Sequence, residues 1–170
     1  MTDLSTLISG DQDFWLAELP NYQRHSITEM LRSRKTYEQV AASWLNSSIA
    51  DGTAPFGTSA TRGLFFEKVV DELHDFLCVG ISYENERSQI ISGFKTGQAG
   101  LVATITAAIS PHLDSAPSFL APAVAVLLCA ISKIGLGAWC RVQTERRAQE
   151  TNQQLTVTDE TSSTGDQSPQ

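Results

Sequence analysis

The amino-acid sequence predicts an all-α protein, in which a small helical bundle carries an apolar C-terminal helical hairpin and a disordered tail. Apolar residues recur at helical spacing in the first half, two apolar runs flank a proline-containing turn in the second half, and the last stretch is polar. A chain of 170 residues fits one domain with a tail. We therefore expect a single helical domain over residues 1–150, made of an amphipathic charged half (1–92) and an apolar helical hairpin (97–149), and a disordered tail over 151–170.

The first half holds the clearest amphipathic patterns. Two short helical turns come first, and residues 21–48 then form one helix or two, with Thr36 as a cap. The best helix is LFFEKVVDELHDFLC at residues 64–78, because its large apolar residues form one broad stripe. Gly80 can end this helix, and residues 84–92 follow as a shorter one.

The second half contains two apolar arms joined by a turn. The first arm covers residues 97–110 and stops at Pro111, and the second runs from about Phe119, through Lys133, to about Gln149. Between Leu101 and Ser132 the only formal charge is Asp114. The turn offers several caps and first-turn prolines for the second arm: Asp114, Ser115, Ser118, Pro117 and Pro122.

These apolar arms belong either in a protein core or in a membrane. A spanning helix needs ~20 mostly apolar residues, which the first arm lacks, and a lysine near a helix centre costs ~2.5–3.5 kcal/mol on insertion. We favour the central helix of a soluble bundle, then a hairpin buried in one state and inserted in another, and last a permanent span. A hairpin that is buried in one state and inserted in another resembles, in architecture only, the apolar helical hairpin of pore-forming bacterial toxins. No motif in the sequence supports kinship with them.

The charge distribution disfavours nucleic acid as a partner. The net charge is −7 and the pI about 4.8, whereas binding to phosphates needs a basic stripe. The most basic stretch, Lys133 to Arg147, is interrupted by Glu145. The acidic N-terminus has neither the basic nor the apolar region of a secretory signal. We expect a cytoplasmic protein, with membrane association if the hairpin inserts.

The three cysteines predict free thiols. Cys78, Cys129 and Cys140 are odd in number, widely spaced and without a CxxC pair, which argues against a disulfide framework and a zinc site. Reduced thiols fit a cytoplasmic protein. Cys129 lies in the apolar run and is expected to behave as a small buried hydrophobic residue.

Two features of the sequence are candidate sites of chemistry. Glu67, Asp71, His74 and Cys78 share a narrow face of the best helix, and all four types bind metals. The spacing is not of the HExxH type, so a solvated polar face is the favoured interpretation. The Gly- and Ser-rich segment 47–63 predicts a long loop, favoured as a flexible link, although its end near Arg62 could hold an anion at the next helix.

The sequence therefore predicts a non-enzymatic interaction or structural protein that acts through its apolar C-terminal hairpin, by self-association or by binding a protein partner. The alternative is a membrane-associated or membrane-inserting effector that uses residues 97–140. An enzyme or metal site on helix 64–79 comes third. No catalytic, cofactor-binding or metal-ligating residue is assigned, and no cofactor is expected.

Overall fold

The computed structural model describes residues 4–50, 59–93 and 100–162, and this part of the chain contains helices and no strand. The prediction of an all-α protein is confirmed. A π-helical turn, Asp75–Val79, continues the fifth helix, and a 3-10 turn, Ser110–Leu113, follows the seventh. The helices are α1 (Leu4–Leu7), α2 (Gln12–Ala17), α3 (Asn21–Arg32), α4 (Tyr37–Ala50), α5 (Ser59–His74), α6 (Glu84–Gly93), α7 (Leu101–Ile109), α8 (Pro117–Ile134) and α9 (Leu136–Ser162).

Local signals set the ends of the N-terminal helices. Thr36 and Gln39 form a reciprocal capping box at the start of α4, since each backbone N–H donates to the other side chain, at 3.2 and 3.0 Å. Arg34, with a φ of 62°, separates α3 from α4, so residues 21–48 contain two helices. Gly80 ends the π-helical turn in a left-handed conformation with a φ of 75°, as predicted.

Helix α8 forms the centre of the bundle. Its residues from Pro122 to Ile131 are all buried, and so is Leu120. Helices α2, α3, α4 and α7 pack around it, and α8 and α9 pack as a pair. Burial accounts for the apolar composition of α8, because each large aliphatic side chain removed from water contributes roughly 1.5–3 kcal/mol.

The second arm of the predicted hairpin is not one continuous helix. The expectation of a helix from Phe119 to Gln149 is wrong, because Gly135, with a φ of 94°, ends α8 and α9 begins at Leu136. Lys133 therefore lies in the last turn of α8, where a cation is favourable. Its Nζ lies 4.9 Å from the centroid of the Tyr37 ring, in a cation–π contact at the surface.

Other predicted boundaries also move. The expected loop 47–63 is wrong at both ends, because α4 continues to Ala50 and α5 begins at Ser59. Residues 51–58 and the side chain of Arg62 lie outside the described residues. The boundary expected at residue 150 falls within α9, which continues to Ser162, and residues 163–170 of the predicted tail are outside the described part.

The start of α8 is held by side chains from distant helices. Its N-cap is Ala116, which makes no side-chain cap bond, so the predicted caps do not cap this helix, while Pro117 occupies the first turn as expected. Pro122 lies inside the helix and has no N–H for the carbonyl of Ser118. The buried Gln23 supplies the missing donor, because its Nε2 donates to that carbonyl at 3.0 Å.

This replacement of one hydrogen bond by another predicts coupling between Gln23 and Pro122. Gln23→Leu is expected to cost about 1 kcal/mol more in the natural chain than in a Pro122→Ala background. The reason is that an alanine at position 122 provides the backbone N–H that Pro122 cannot donate to the carbonyl of Ser118. Urea unfolding of the four chains measures the difference. Equal costs of Gln23→Leu in both backgrounds would show that the two residues act independently.

Candidate functional site

The polar face of α5 packs against α9 and forms what we call the α5–α9 junction. The expectation that this face is solvated is wrong for its centre, since His74 is only 3% exposed. Four polar residues at this end of α5 and in the turn that continues it have partners on α9. The junction consists of Asp71, His74, Asp75 and Cys78 on one side and Cys140, Thr144, Arg146 and Arg147 on the other.

Two arginines of α9 pair with the carboxylates of this face. Arg146 Nη2 donates to Asp71 Oδ1 at 2.6 Å, and Arg147 Nη1 donates to Asp75 Oδ1 at 2.5 Å. The hydrogen bond to Asp75 raises the pKa of Arg147 above its ordinary value. All four side chains keep about a third of their surface exposed. Solvent screening therefore limits each pair to roughly 0–1 kcal/mol.

Both ring nitrogens of His74 lie close to side chains of α9. Its Nε2 lies 3.1 Å from Thr144 Oγ1, and Thr144 donates its hydroxyl proton to the carbonyl of Cys140 at 2.8 Å. Its Nδ1 lies 3.1 Å from Arg147 Nη1 and 3.5 Å from Asp75 Oδ1. His74 therefore joins Thr144 to the Asp75–Arg147 pair.

Cys78 and Cys140 form a disulfide bond across the junction, so the prediction that all cysteines are free thiols is wrong for these two. The two residues are 62 positions apart in the chain, with their Cα atoms 5.7 Å apart. Cys129 is the free cysteine and is buried, as predicted. Burial raises the pKa of its thiol to about 12, which makes it a poor nucleophile near neutral pH.

The polar residues proposed for metal binding do not gather into one site. Cys78 is bonded to Cys140, both His74 nitrogens have partners, and Asp71 faces Arg146. Glu67 lines a different part of the surface. Among the described residues no group of three or more His, Cys, Asp or Glu is placed to hold a metal ion.

A second feature, which we call the apolar groove, lies where α5, α8 and α9 meet. It encloses about 300 Å³. The wall of the groove consists of Phe66, Val70, Leu127, Ile134, Trp139 and Val142, and its rim of Glu38, Glu67, Gln143 and Arg146. Two residues of this apolar wall remain exposed to solvent, Ile134 at 54% and Val142 at 58%. The sequence did not identify this groove, because its residues come from separate segments.

No protein-family model, no curated protein and no solved structure matches this chain. Among the described residues, α8 is long and apolar enough to cross a membrane, with 18 residues and a mean hydropathy of 1.8. The core helix of a protein passes the same test, and 61% of α8 is buried inside the fold. Helix α7 with its 3-10 turn, Leu101–Leu113, is apolar but shorter.

Proposed function

We propose that this protein is a non-enzymatic helical interaction protein that binds a partner through the apolar groove at its C-terminal hairpin. The observation that carries the proposal is the pair Ile134 and Val142, which remain more than half exposed within an apolar wall. Exposed apolar side chains gathered around a concavity are typical of interaction sites. A volume of about 300 Å³ lies at the lower end of the range for binding pockets.

The occupant that fits this groove best is an amphipathic helix with basic residues beside its apolar stripe. The groove is walled by helices, which is the setting in which an apolar helix face docks. Glu38 and Glu67 are exposed on its rim, while Arg146 is already paired with Asp71 and Glu150. A second copy of this chain would carry the same net charge of −7, which disfavours it through repulsion.

A designed peptide tests this function. The probe is a synthetic leucine–lysine helix with leucines at i, i+3, i+4 and i+7, and its control is a scrambled peptide of the same composition. Val142→Asp, which places a carboxylate in the groove wall, is expected to weaken binding of the probe about tenfold or more. Fluorescence anisotropy of the labelled peptide measures the dissociation constant.

Helix α9 provides a matched control variant. Leu155 is 63% exposed on the same helix and lies outside the groove lining, so Leu155→Asp adds the same charge without changing the groove. Equal affinities of the two variants, or equal binding of the scrambled peptide, would refute the proposal. A doubling of the mass of the chain in sedimentation, reversed by Val142→Asp, would instead make a second copy the occupant.

The alternative function, in which residues 97–140 insert into a membrane, is favoured by the length and apolarity of α8. In this alternative α8 leaves its shell of helices and its apolar faces contact lipid. The hydrogen bonds that α8 receives from Gln23, Trp15 and Trp44 would then break. Membranes from cells expressing the chain, washed with carbonate, would retain the protein if it inserts and release it if the groove proposal is right.

A further inference from the structure

The Cys78–Cys140 disulfide joins the two helical segments that wall the apolar groove. Cys78 continues α5, which contributes Phe66 and Val70 to the groove, and Cys140 lies on α9, beside Trp139 and Val142. We propose that this disulfide is a redox switch: a dithiol reductant opens it, α9 separates from α5, and the groove loses one wall. The inference concerns regulation of the groove and rests on the proposed function.

The disulfide is accessible to a small thiol. Neither Cys78 nor Cys140 is fully buried, and both line an open cavity of about 300 Å³ together with His74, Val79, Arg141, Thr144 and Glu145. Disulfide exchange requires a thiolate to reach one of the two sulfurs, and this cavity provides the approach. Cys129, in contrast, is 2% exposed in the core and remains outside the reaction.

The reaction needs only the dithiol as co-reactant. One thiolate of the reductant attacks a sulfur of the pair and forms a mixed disulfide, and the other protein sulfur leaves as a thiolate and takes up a proton. The second thiol of the reductant then displaces the remaining protein sulfur, which is protonated in turn. Two electrons and two protons pass to the protein, which gains two thiols, and the reductant becomes a disulfide.

The contacts that remain after reduction hold α9 weakly. The pairs Asp71–Arg146 and Asp75–Arg147 are partly exposed, and such pairs contribute little. Residues 148–155 of α9 are all exposed. The buried Trp139 and the hydrogen bonds of His74 are non-covalent as well, so the disulfide is the covalent attachment between α9 and the end of α5.

Hydrogen exchange and peptide binding together test the switch in the full chain, before and after treatment with dithiothreitol. Reduction is expected to raise amide exchange in residues 138–150 at least about tenfold and to weaken binding of the leucine–lysine probe about tenfold. A Cys78→Ser, Cys140→Ser chain should match the reduced state and ignore the reductant. Cys129→Ser should respond as the natural chain does.

The outcomes separate the switch from the function on which it rests. Unchanged exchange in α9 after reduction would overturn the switch, and so would a disulfide that opens only when the protection of α8 is lost as well, because that is global unfolding. If α9 loosens but neither form binds the probe, the groove is not the regulated site, and the proposed function fails while the release of α9 stands.

Discussion

Reduction of the Cys78–Cys140 disulfide is expected to lower the free energy of unfolding by about 4 kcal/mol, because the bond closes a loop of 62 residues in the unfolded chain. A domain of this size has a total stability of roughly 5–15 kcal/mol, so the reduced chain should still fold with a much smaller margin. Urea unfolding followed by far-ultraviolet circular dichroism, with and without dithiothreitol, measures the change.

The double serine variant of Cys78 and Cys140 controls for effects of the reductant itself. It should unfold at the same urea concentration as the reduced natural chain, and dithiothreitol should leave its midpoint unchanged. A loss of less than about 1 kcal/mol on reduction would mean that the bond constrains the unfolded ensemble far less than its loop length implies.

Trp15→Ala is expected to cost about 3–5 kcal/mol. Trp15 lies on α2 and is fully buried where α2 packs against α8. Its ring packs edge-on against Phe14, with centroids 4.8 Å apart, and fills space that an alanine leaves empty. Its Nε1 also donates to Ser132 Oγ at 2.9 Å and to the carbonyl of Gly10 at 3.1 Å. The free energy of unfolding from urea titration at constant m-value measures the loss.

Two further variants test the origin of this loss of stability. Trp15→Phe keeps most of the apolar volume and removes the indole N–H, so it should cost about 1 kcal/mol more than the lost volume alone explains. Tyr22→Ala, at a side chain that is 67% exposed, should change stability by less than about 0.5 kcal/mol. A cost of Trp15→Ala close to that of Tyr22→Ala would contradict the position of Trp15 in the core.

The features predicted correctly from the sequence are those decided by neighbouring residues. The apolar stripe of α5 follows from helical periodicity, and Thr36 caps α4 because its partner, Gln39, is only three residues away. Gly80 ends its helix because glycine adopts a left-handed conformation without strain. The free, buried state of Cys129 follows from the apolar run around it.

The features that the sequence did not reveal depend on contacts between distant segments. Cys78 and Cys140 pair because α5 and α9 run side by side in opposite directions, and no local spacing encodes that arrangement. His74 is buried for the same reason, and its partners lie 70 or more positions away. The break at Gly135 had a local signal in the sequence IGLG, which the surrounding apolar residues outweighed.

The apolar groove could not be predicted from the sequence for the same reason. Its wall combines two residues each of α5, α8 and α9, and each pair taken alone fits an ordinary core stripe. The exposure of Ile134 and Val142 becomes visible only when the helices are placed together. The predicted role of the C-terminal hairpin therefore remains a proposal, now tied to specific side chains.

The central claim is that α8 serves as the core of the bundle and stays there. Hydrogen exchange along the whole chain, measured with and without phospholipid vesicles, tests it most directly. We expect the amides of residues 123–131 to exchange most slowly of all and to keep the same rates when vesicles are added, because α8 is enclosed by other helices. Fast exchange in α8 without vesicles would contradict the claim. Vesicles that expose α2 and α4 while α8 stays protected would contradict it as well and would identify α8 as a membrane-inserting helix.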